Sequence, residues 1–266
     1  RKFYENLNPK NYIEPFFGGG AVYFDVLRTL GIEYKEKAII NDVNQDLIDM
    51  YKNIKSNPEE LIHSCHALEK DYKKHDYYYI RERFNGLDSD KNKIDKYEGI
   101  ERSAALIVIN RTCFNGLYRV NRNGLFNVPK GSYKNPTIVD EENLYKISAL
   151  LPKIQNIRCK EFDAIKDIKK GDLVYFDPPY HPLNETSSFT SYSGTFGRKE
   201  QLRLRDYFQK LNQNGVNVIL SNSSAPFIKK IYSENTIQEV FCGRNINSKS
   251  HKRGKIPEFL ILGDNL

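Results

Sequence analysis

The stretch from Asn11 to Tyr51 constrains the fold most. Asn11–Glu14 reads as a short buried strand, Pro15-Phe-Phe-Gly-Gly-Gly20 as a glycine-rich turn, and a helix is expected from there to about Leu30. A second strand, Lys37-Ala-Ile-Ile40, ends at Asn41-Asp42, and helix resumes with Leu47, Ile48 and Tyr51 on one face. This is a β-α-β unit whose first turn lets a ligand approach the backbone and then opens a helix. Asp42, just past the second strand, stands where an acidic residue accepts hydrogen bonds from ribose hydroxyls. The contiguous glycines depart from G-x-G-x-x-G, and taken alone the turn would also suit a dehydrogenase.

Further along, the pattern changes and then returns. Between about Pro58 and Pro152, charged helical stretches such as Tyr72–Arg83 surround a polar segment at Asp88–Glu98. A hairpin signature follows: Gly116-Leu-Tyr-Arg-Val120, then Asn121-Arg-Asn-Gly124, then Leu125-Phe-Asn-Val128, with Asn123-Gly124 signalling a type I′ turn. After Pro152, strands are expected at Ile157–Cys159, Leu173–Phe176 and Val216–Leu220, a helix at Lys199–Leu211, and an antiparallel pair at Phe241-Cys242 and Glu258–Leu262. The assembly is an α/β domain with a mixed sheet, formed by residues 1–54 and 153–266, and an inserted recognition lobe at 55–152.

Asp177-Pro178-Pro179-Tyr180 follows the strand Asp172–Phe176. A carboxylate, two prolines and an aromatic ring suit the amino edge and face of a flat base. Asp177 accepts from an exocyclic NH2, the Pro178 carbonyl is a rigid second acceptor, and Tyr180 stacks. An ordinary strand end and proline turn would also fit these four residues alone. A dehydrogenase gives them no role, so together with the glycine turn they favour a nucleoside-bearing cofactor.

A formal charge of +7, with 18 Tyr, 15 Phe and no Trp, places basic side chains and stacking rings together, as a polyanionic partner requires. No run approaches the length of a membrane span. Four scattered cysteines without a C-x-x-C pair fit a reduced, cytoplasmic chain. His63, Cys65, His66 and His75 lack a matching second cluster, and no metal is assigned.

Asn11-Tyr-Ile-Glu-Pro-Phe-Phe-Gly-Gly-Gly20, Asn41-Asp42, Asn110-Arg-Thr-Cys-Phe-Asn-Gly-Leu-Tyr-Arg119, Phe126-Asn-Val-Pro129 and Asp177-Pro-Pro-Tyr180 resemble, in order and over nearly the whole chain, the Dam-type DNA adenine-N6 methyltransferases (D12 class, alpha group). The resemblance implies a Rossmann-like, S-adenosylmethionine-dependent fold with an inserted, mainly helical DNA-recognition domain bearing a β-hairpin. It implies cofactor contacts from Glu14, Pro15, Phe16, Gly18, Gly20, Asp42, Phe162, Asp163 and Asp177, with Asp163 on the cofactor adenine. A helix N-cap is the competing role for Asp163. Asp177, Pro178, Pro179 and Tyr180 would be catalytic, holding an adenine flipped out of double-stranded DNA.

The same resemblance puts Arg111 and Asn115 at orienting positions and Phe114, a tyrosine in the best-known relatives, at an aromatic wedge. It puts Leu117 and Arg119 on the base-reading hairpin, with Arg119 on guanine. Hairpin packing or solvated charge would be their roles without it. Arg244, Asn247, Ser248, Lys249 and Arg253, with Lys252, resemble the family's phosphate-contacting segment. GATC is the implied target, and a cognate restriction endonuclease an admissible partner. Family members carry a W-A-G-G-K segment ahead of the glycine turn; this chain opens at Arg1 after it, as a fragment or processed chain would. A non-catalytic DNA-binding relative and an RNA or protein methyltransferase are the alternatives. The second more often shows N-P-P-Y and lacks the Asn110–Arg119 run.

Overall fold

The computed structural model describes residues 2–183, 196–243 and 255–266. In chain order its main elements are β1 (Tyr12–Glu14), α1 (Ala21–Leu30), β2 (Ala38–Asn41), α2 (Gln45–Ser56), α3 (Pro58–His75), α4 (Tyr77–Asn85), α5 (Gly99–Thr112) and α6 (Glu141–Leu150). There follow β3 (Ile157–Arg158), β4 (Leu173–Phe176), α7 (Arg198–Gln213), β5 (Asn217–Ser223), α8 (Pro226–Ile231), β6 (Thr236–Gly243) and β7 (Lys255–Leu262). Two compact units result, Arg1–Val43 with Arg158–Leu266, and Asn44–Ile157.

The first unit is a mixed α/β sheet in the order β3-β2-β1-β4-β5-β7-β6. β1 runs parallel to both β2 and β4, and β4 parallel to β5. β7 enters antiparallel between β5 and β6. Strands covered on both faces are near-continuously apolar, as Leu173-Val-Tyr-Phe176 is, and Val174, Phe176, Phe208 and Leu220 share one core cluster. α1 buries Tyr23, Val26 and Leu27, the i, i+3, i+4 face of an amphipathic helix. β5 runs three residues past the apolar run that marks it in the sequence. Ser221, Asn222 and Ser223 stay in the strand because β7 pairs with them, opposite Leu260, Phe259 and Glu258.

The second unit is helical around α5, on which α2, α3 and α4 pack. Its residues Ala104, Ala105, Val108 and Ile109 are fully buried. α2 opens at Asn44, whose side chain accepts from the Leu47 N–H, and buries Ile48, Tyr51 and Ile54. α3 starts on Pro58 with Glu59 and Glu60 in its first turn and ends on Lys73, Lys74 and His75, matching the helix dipole at both ends. The helical stretch expected across Tyr72–Arg83 is broken at Asp76, whose φ is 87°. Asp76 pairs with Lys130, which ties the break to a distant part of the unit.

The hairpin closes on a turn other than the expected one, and its register differs from the pairing of Val120 with Asn127 that a type I′ turn at Asn123-Gly124 would set. Val120 bridges Phe126 antiparallel, and the Asn121 N–H donates to the Leu125 carbonyl at 2.8 Å. Gly124 has φ 75° while Asn123 is outside the left-handed region, so type I′ is not formed. The Gly124 N–H donates to Asn121 O, and Asn121 Oδ1 accepts from the Asn123 and Leu125 N–H groups. This is a three-residue loop, a type I turn followed by a left-handed glycine. The Asx side chain of Asn121 decides between the two turns by capping both later N–H groups. Among the described residues no helix is long and apolar enough to cross a membrane, and no cluster of three His, Cys, Asp or Glu side chains could hold a metal.

Candidate active site

The crevice of an open α/β sheet lies where neighbouring parallel strands send their chains in opposite directions, here between β1 and β4. The glycine turn leaves the carboxyl end of β1. The Phe17 N–H donates to Asn41 O at 2.8 Å and Gly20 N–H to Phe17 O at 2.8 Å, folding the turn back on β2. Gly18 and Gly20 take φ of 48° and 69°. A Cβ on Gly18 or Gly19 would meet nothing within 4 Å, whereas one on Gly20 would stand 2.6 Å from the Phe17 ring. The turn is therefore closed against the protein at Gly20 and open to a ligand at Gly18 and Gly19. Pro15 is buried, its carbonyl accepting from Asn41 Nδ2 at 3.0 Å.

Three carboxylates gather at the ends of β1, β2 and β4. Asp42 Oδ2 accepts the Gly18 N–H at 3.0 Å and so shapes the turn. Glu14 is buried and takes the Tyr12 hydroxyl at 2.6 Å. Burial pushes the Glu14 carboxyl up to about 8; Asp177 and Asp42 add like-charge repulsion, and the Tyr12 hydroxyl opposes the rise. Protein crowds around the Asp177 carboxylate and raises it above its ordinary value, with Glu258 adding to the rise and the Ser221 and Tyr180 hydroxyls opposing it. Asp177 nonetheless keeps surface open to solvent, which tempers that shift. A ligand carrying positive charge would favour the ionised form of Glu14, which is neutral at pH 7 without one, whereas a pyrophosphate would add to the repulsion.

The segment after β4 is held from two elements. On β5, the Ser221 hydroxyl donates to Asp177 Oδ1 at 2.6 Å, and Asn222 Oδ1 accepts the His181 N–H at 3.1 Å. The Ser223 hydroxyl donates to the His181 carbonyl at 2.5 Å. From α7, Gln201 Nε2 donates to the Pro179 carbonyl at 2.9 Å. Pro178 is buried, while Tyr180 is half-buried and donates its hydroxyl to Glu258 Oε2 at 3.3 Å. Gln201, Ser221, Asn222, Ser223 and Glu258 escape a reading of motifs. The available signal was a polar triplet closing an apolar strand run.

An aromatic wall flanks the glycine turn. Phe16 stacks on Phe162 with ring centroids 5.4 Å apart, and Phe196 sets its edge against both. Phe162 is buried, only 3 % exposed, whereas Phe16 is half-buried. Asp163 lies inside a short 3-10 turn, Phe162–Ala164, and Glu161 takes the N-cap position. Arg203 pairs with Asp163 at 2.9 Å and Glu161 at 2.6 Å, its guanidinium 4.3 Å over the Phe162 ring.

In the second unit, Arg111 donates through Nε and an Nη to the Thr137 carbonyl at 3.0 and 2.8 Å. Phe114 is exposed at 40 %, next to Asn115 and Gly116, both left-handed. Asn110 Nδ2 holds the Gly116 carbonyl at 2.8 Å. Leu117 is half-buried. Arg119 donates from Nε to Asn127 Oδ1 at 2.7 Å and from an Nη to the Asn127 carbonyl at 3.2 Å, across the hairpin. Arg244, Asn247, Ser248, Lys249, Lys252 and Arg253 lie outside the described residues.

Residues 2–246 match the family model of the D12 class N6 adenine-specific DNA methyltransferases. The chain is 44 % identical over 266 residues to the type II methyltransferase M.MjaIII of Methanocaldococcus jannaschii, covering 96 % of this chain and 89 % of that one. It is 42 % identical over 261 residues to the type II methyltransferase M1.LlaDCHI of Lactococcus lactis subsp. cremoris, covering 96 % and 88 %. A DNA adenine methylase of Vibrio cholerae is 31 % identical over 260 residues, with 95 % and 87 % covered. The seven-stranded mixed sheet with its glycine turn, and the match over most of the chain, lead to one conclusion: this chain belongs to the D12 class of N6 adenine-specific DNA methyltransferases.

Proposed function

We propose that the first unit transfers the methyl group of S-adenosylmethionine to the N6 amino group of an adenine flipped out of double-stranded DNA, within GATC. The observation that carries the reading is the ring of three carboxylates, Glu14, Asp42 and Asp177, around a glycine turn with open space at Gly18 and Gly19. When bound, S-adenosylmethionine supplies an electrophilic methyl group on a sulfonium centre, and its positive charge would favour the ionised forms of the raised Glu14 and Asp177 carboxyls. Asp42 would accept from ribose hydroxyls while keeping the Gly18 N–H. Asp163 has lone pairs beyond those used by Arg203, enough to accept from an adenine amino group. Phe16, the less buried of the stacked pair, would face the cofactor with Pro15 behind it.

Adenine inside a duplex is out of reach, so the base must leave the stack, at a cost of a few kcal/mol. Asp177 and the Pro178 carbonyl would accept the two N6 hydrogens and raise electron density on nitrogen. Tyr180 would stack on the ring, and Pro179 keeps the backbone rigid. Alignment and electrostatics do most of the work, because the donor is already activated. The amino proton becomes acidic only after methyl transfer, so Asp177 acts as an acceptor and no strong general base is required.

The second unit would read the duplex. Arg119, aligned by Asn127, suits bidentate pairing with guanine, and exposed Phe114 suits insertion between bases. Leu117 would contact base edges, and Arg111 and Asn115 would orient the backbone. The Asn110–Arg119 run supports GATC, and residues 244–253 supply cations for phosphates. The type II names of two relatives support a cognate restriction endonuclease as partner.

Transfer of labelled methyl from S-adenosylmethionine to duplexes with and without GATC tests this reading. Label is expected on adenine N6 in GATC duplexes only. Incorporation independent of GATC would remove the specificity, and no incorporation into any duplex would remove the reaction.

A further inference from the structure

Two fully buried amides, Gln201 on α7 and Asn222 on β5, form a relay behind the Asp177–His181 segment. Its direction is set at both ends by backbone groups. The Pro179 carbonyl can only accept, so Gln201 turns Nε2 toward it at 2.9 Å. Gln201 Oε1 must then accept, and Asn222 Nδ2 donates to it at 3.1 Å. That leaves Asn222 Oδ1 for two donors, the N–H groups of His181 at 3.1 Å and Ser223 at 2.9 Å. Every link needs a donor on one side and an acceptor on the other, which amides supply and carboxylates do not.

We propose that Gln201 and Asn222 are positioning residues for methyl transfer, fixing the backbone on either side of Tyr180 so that the target amino group meets its acceptors in line. The bonds land on Pro179 and His181, the residues flanking Tyr180. Tyr180 carries the stacking face, and the Pro178 carbonyl stands one residue before the Gln201 contact. Loss of the relay frees the two peptide groups that aim both features, and a shift of about 1 Å in such a segment costs roughly 100-fold in rate. Both amides reach the segment only through backbone groups, Pro179 O and the His181 N–H, so affinity for DNA and cofactor is expected to stay in place. This role rests on the proposed seating of adenine against Asp177 and Tyr180.

Single-turnover methyl transfer at saturating DNA and S-adenosylmethionine tests it, with equilibrium binding of each measured alongside, in wild type, Gln201→Leu, Gln201→Glu and Asp177→Ala. Gln201→Leu is expected to transfer methyl roughly 100-fold more slowly with both affinities unchanged. Gln201→Glu distinguishes aim from bulk. Protonated, its carboxyl can donate to Pro179 O and accept from Asn222; ionised, it sets oxygen against oxygen. Its rate relative to wild type should therefore fall as pH rises, toward the Gln201→Leu level. A wild-type rate in Gln201→Leu, or parallel loss of rate and both affinities, overturns the role. Should Gln201→Leu fail to fold, a relative rate of Gln201→Glu that does not change with pH overturns it equally. Full turnover by Asp177→Ala beside an active wild type would strike at the seating of adenine, and the role assigned to Gln201 would go with it.

Discussion

The Ser221 hydroxyl donates to Asp177 Oδ1 at 2.6 Å, so the carboxylate after β4 is aimed by a serine from the neighbouring parallel strand. On the other side of the segment, Tyr180 is tied to Glu258 of β7. Carboxylate and ring are held from separate strands.

Replacing Asp177 by Ala should abolish turnover and leave DNA binding intact, as single-turnover transfer and equilibrium binding will show. Ser221→Ala acts more finely. Asp177 lies above its ordinary value, and the Ser221 hydroxyl opposes that rise. Its ionised, accepting form is lost as pH falls through the raised value. Removing the donor should move the acidic limb of the rate profile upward, by up to about one pH unit.

Glu14 makes stability depend on pH. Its folded value, about 8 against 4.5, is raised, so the stability it contributes is whole below about 4.5 and is lost as pH rises through about 8. The Tm should decline over that window. Glu14→Gln, which still accepts from Tyr12, should flatten the decline in thermal melts.

Gly19→Ala and Gly20→Ala should part ways. Gly20 has φ 69° and its added Cβ meets Phe17 at 2.6 Å, so Ala adds the left-handed cost of about 1–2 kcal/mol to a clash and lowers Tm by several degrees. Gly19 has open space and no such φ. Its Ala variant should melt like wild type yet bind S-adenosylmethionine about tenfold more weakly, a loss of about 1.4 kcal/mol, because the methyl intrudes on the cradle. Calorimetric titration and melting curves separate the two.

Arg119→Ala should relax discrimination at one guanine by about 1–3 kcal/mol. Asn127→Ala should do part of the same, since Asn127 is the partner that holds the guanidinium. Methyl transfer to duplexes substituted at each base pair will locate the affected position. Unchanged discrimination in both variants would sink the role of Arg119 in reading sequence.

Local pattern made much of this protein legible. Apolar runs ended by glycine or aspartate marked β1, β2 and β4, and the one-sided apolar stripe of Leu47, Ile48 and Tyr51 marked α2. Asp177-Pro-Pro-Tyr180 stood out because a carboxylate and two prolines at a strand end serve packing poorly. The three-residue loop at Asn121–Leu125 was less legible, since Asn-Gly favours one turn locally and the Asn121 side chain selects another.

The set of strands and the glycine turn after β1 are encoded within a few neighbouring positions, and the sequence alone determined them. Tertiary structure alone decided that β7 enters between β5 and β6, keeping Ser221-Asn222-Ser223 in a strand that composition would have ended. It also decided that these three and Gln201 converge on residues 177–181. The physical reason is that buried peptide groups must find hydrogen-bond partners wherever the fold brings them, and those partners lie far away in sequence.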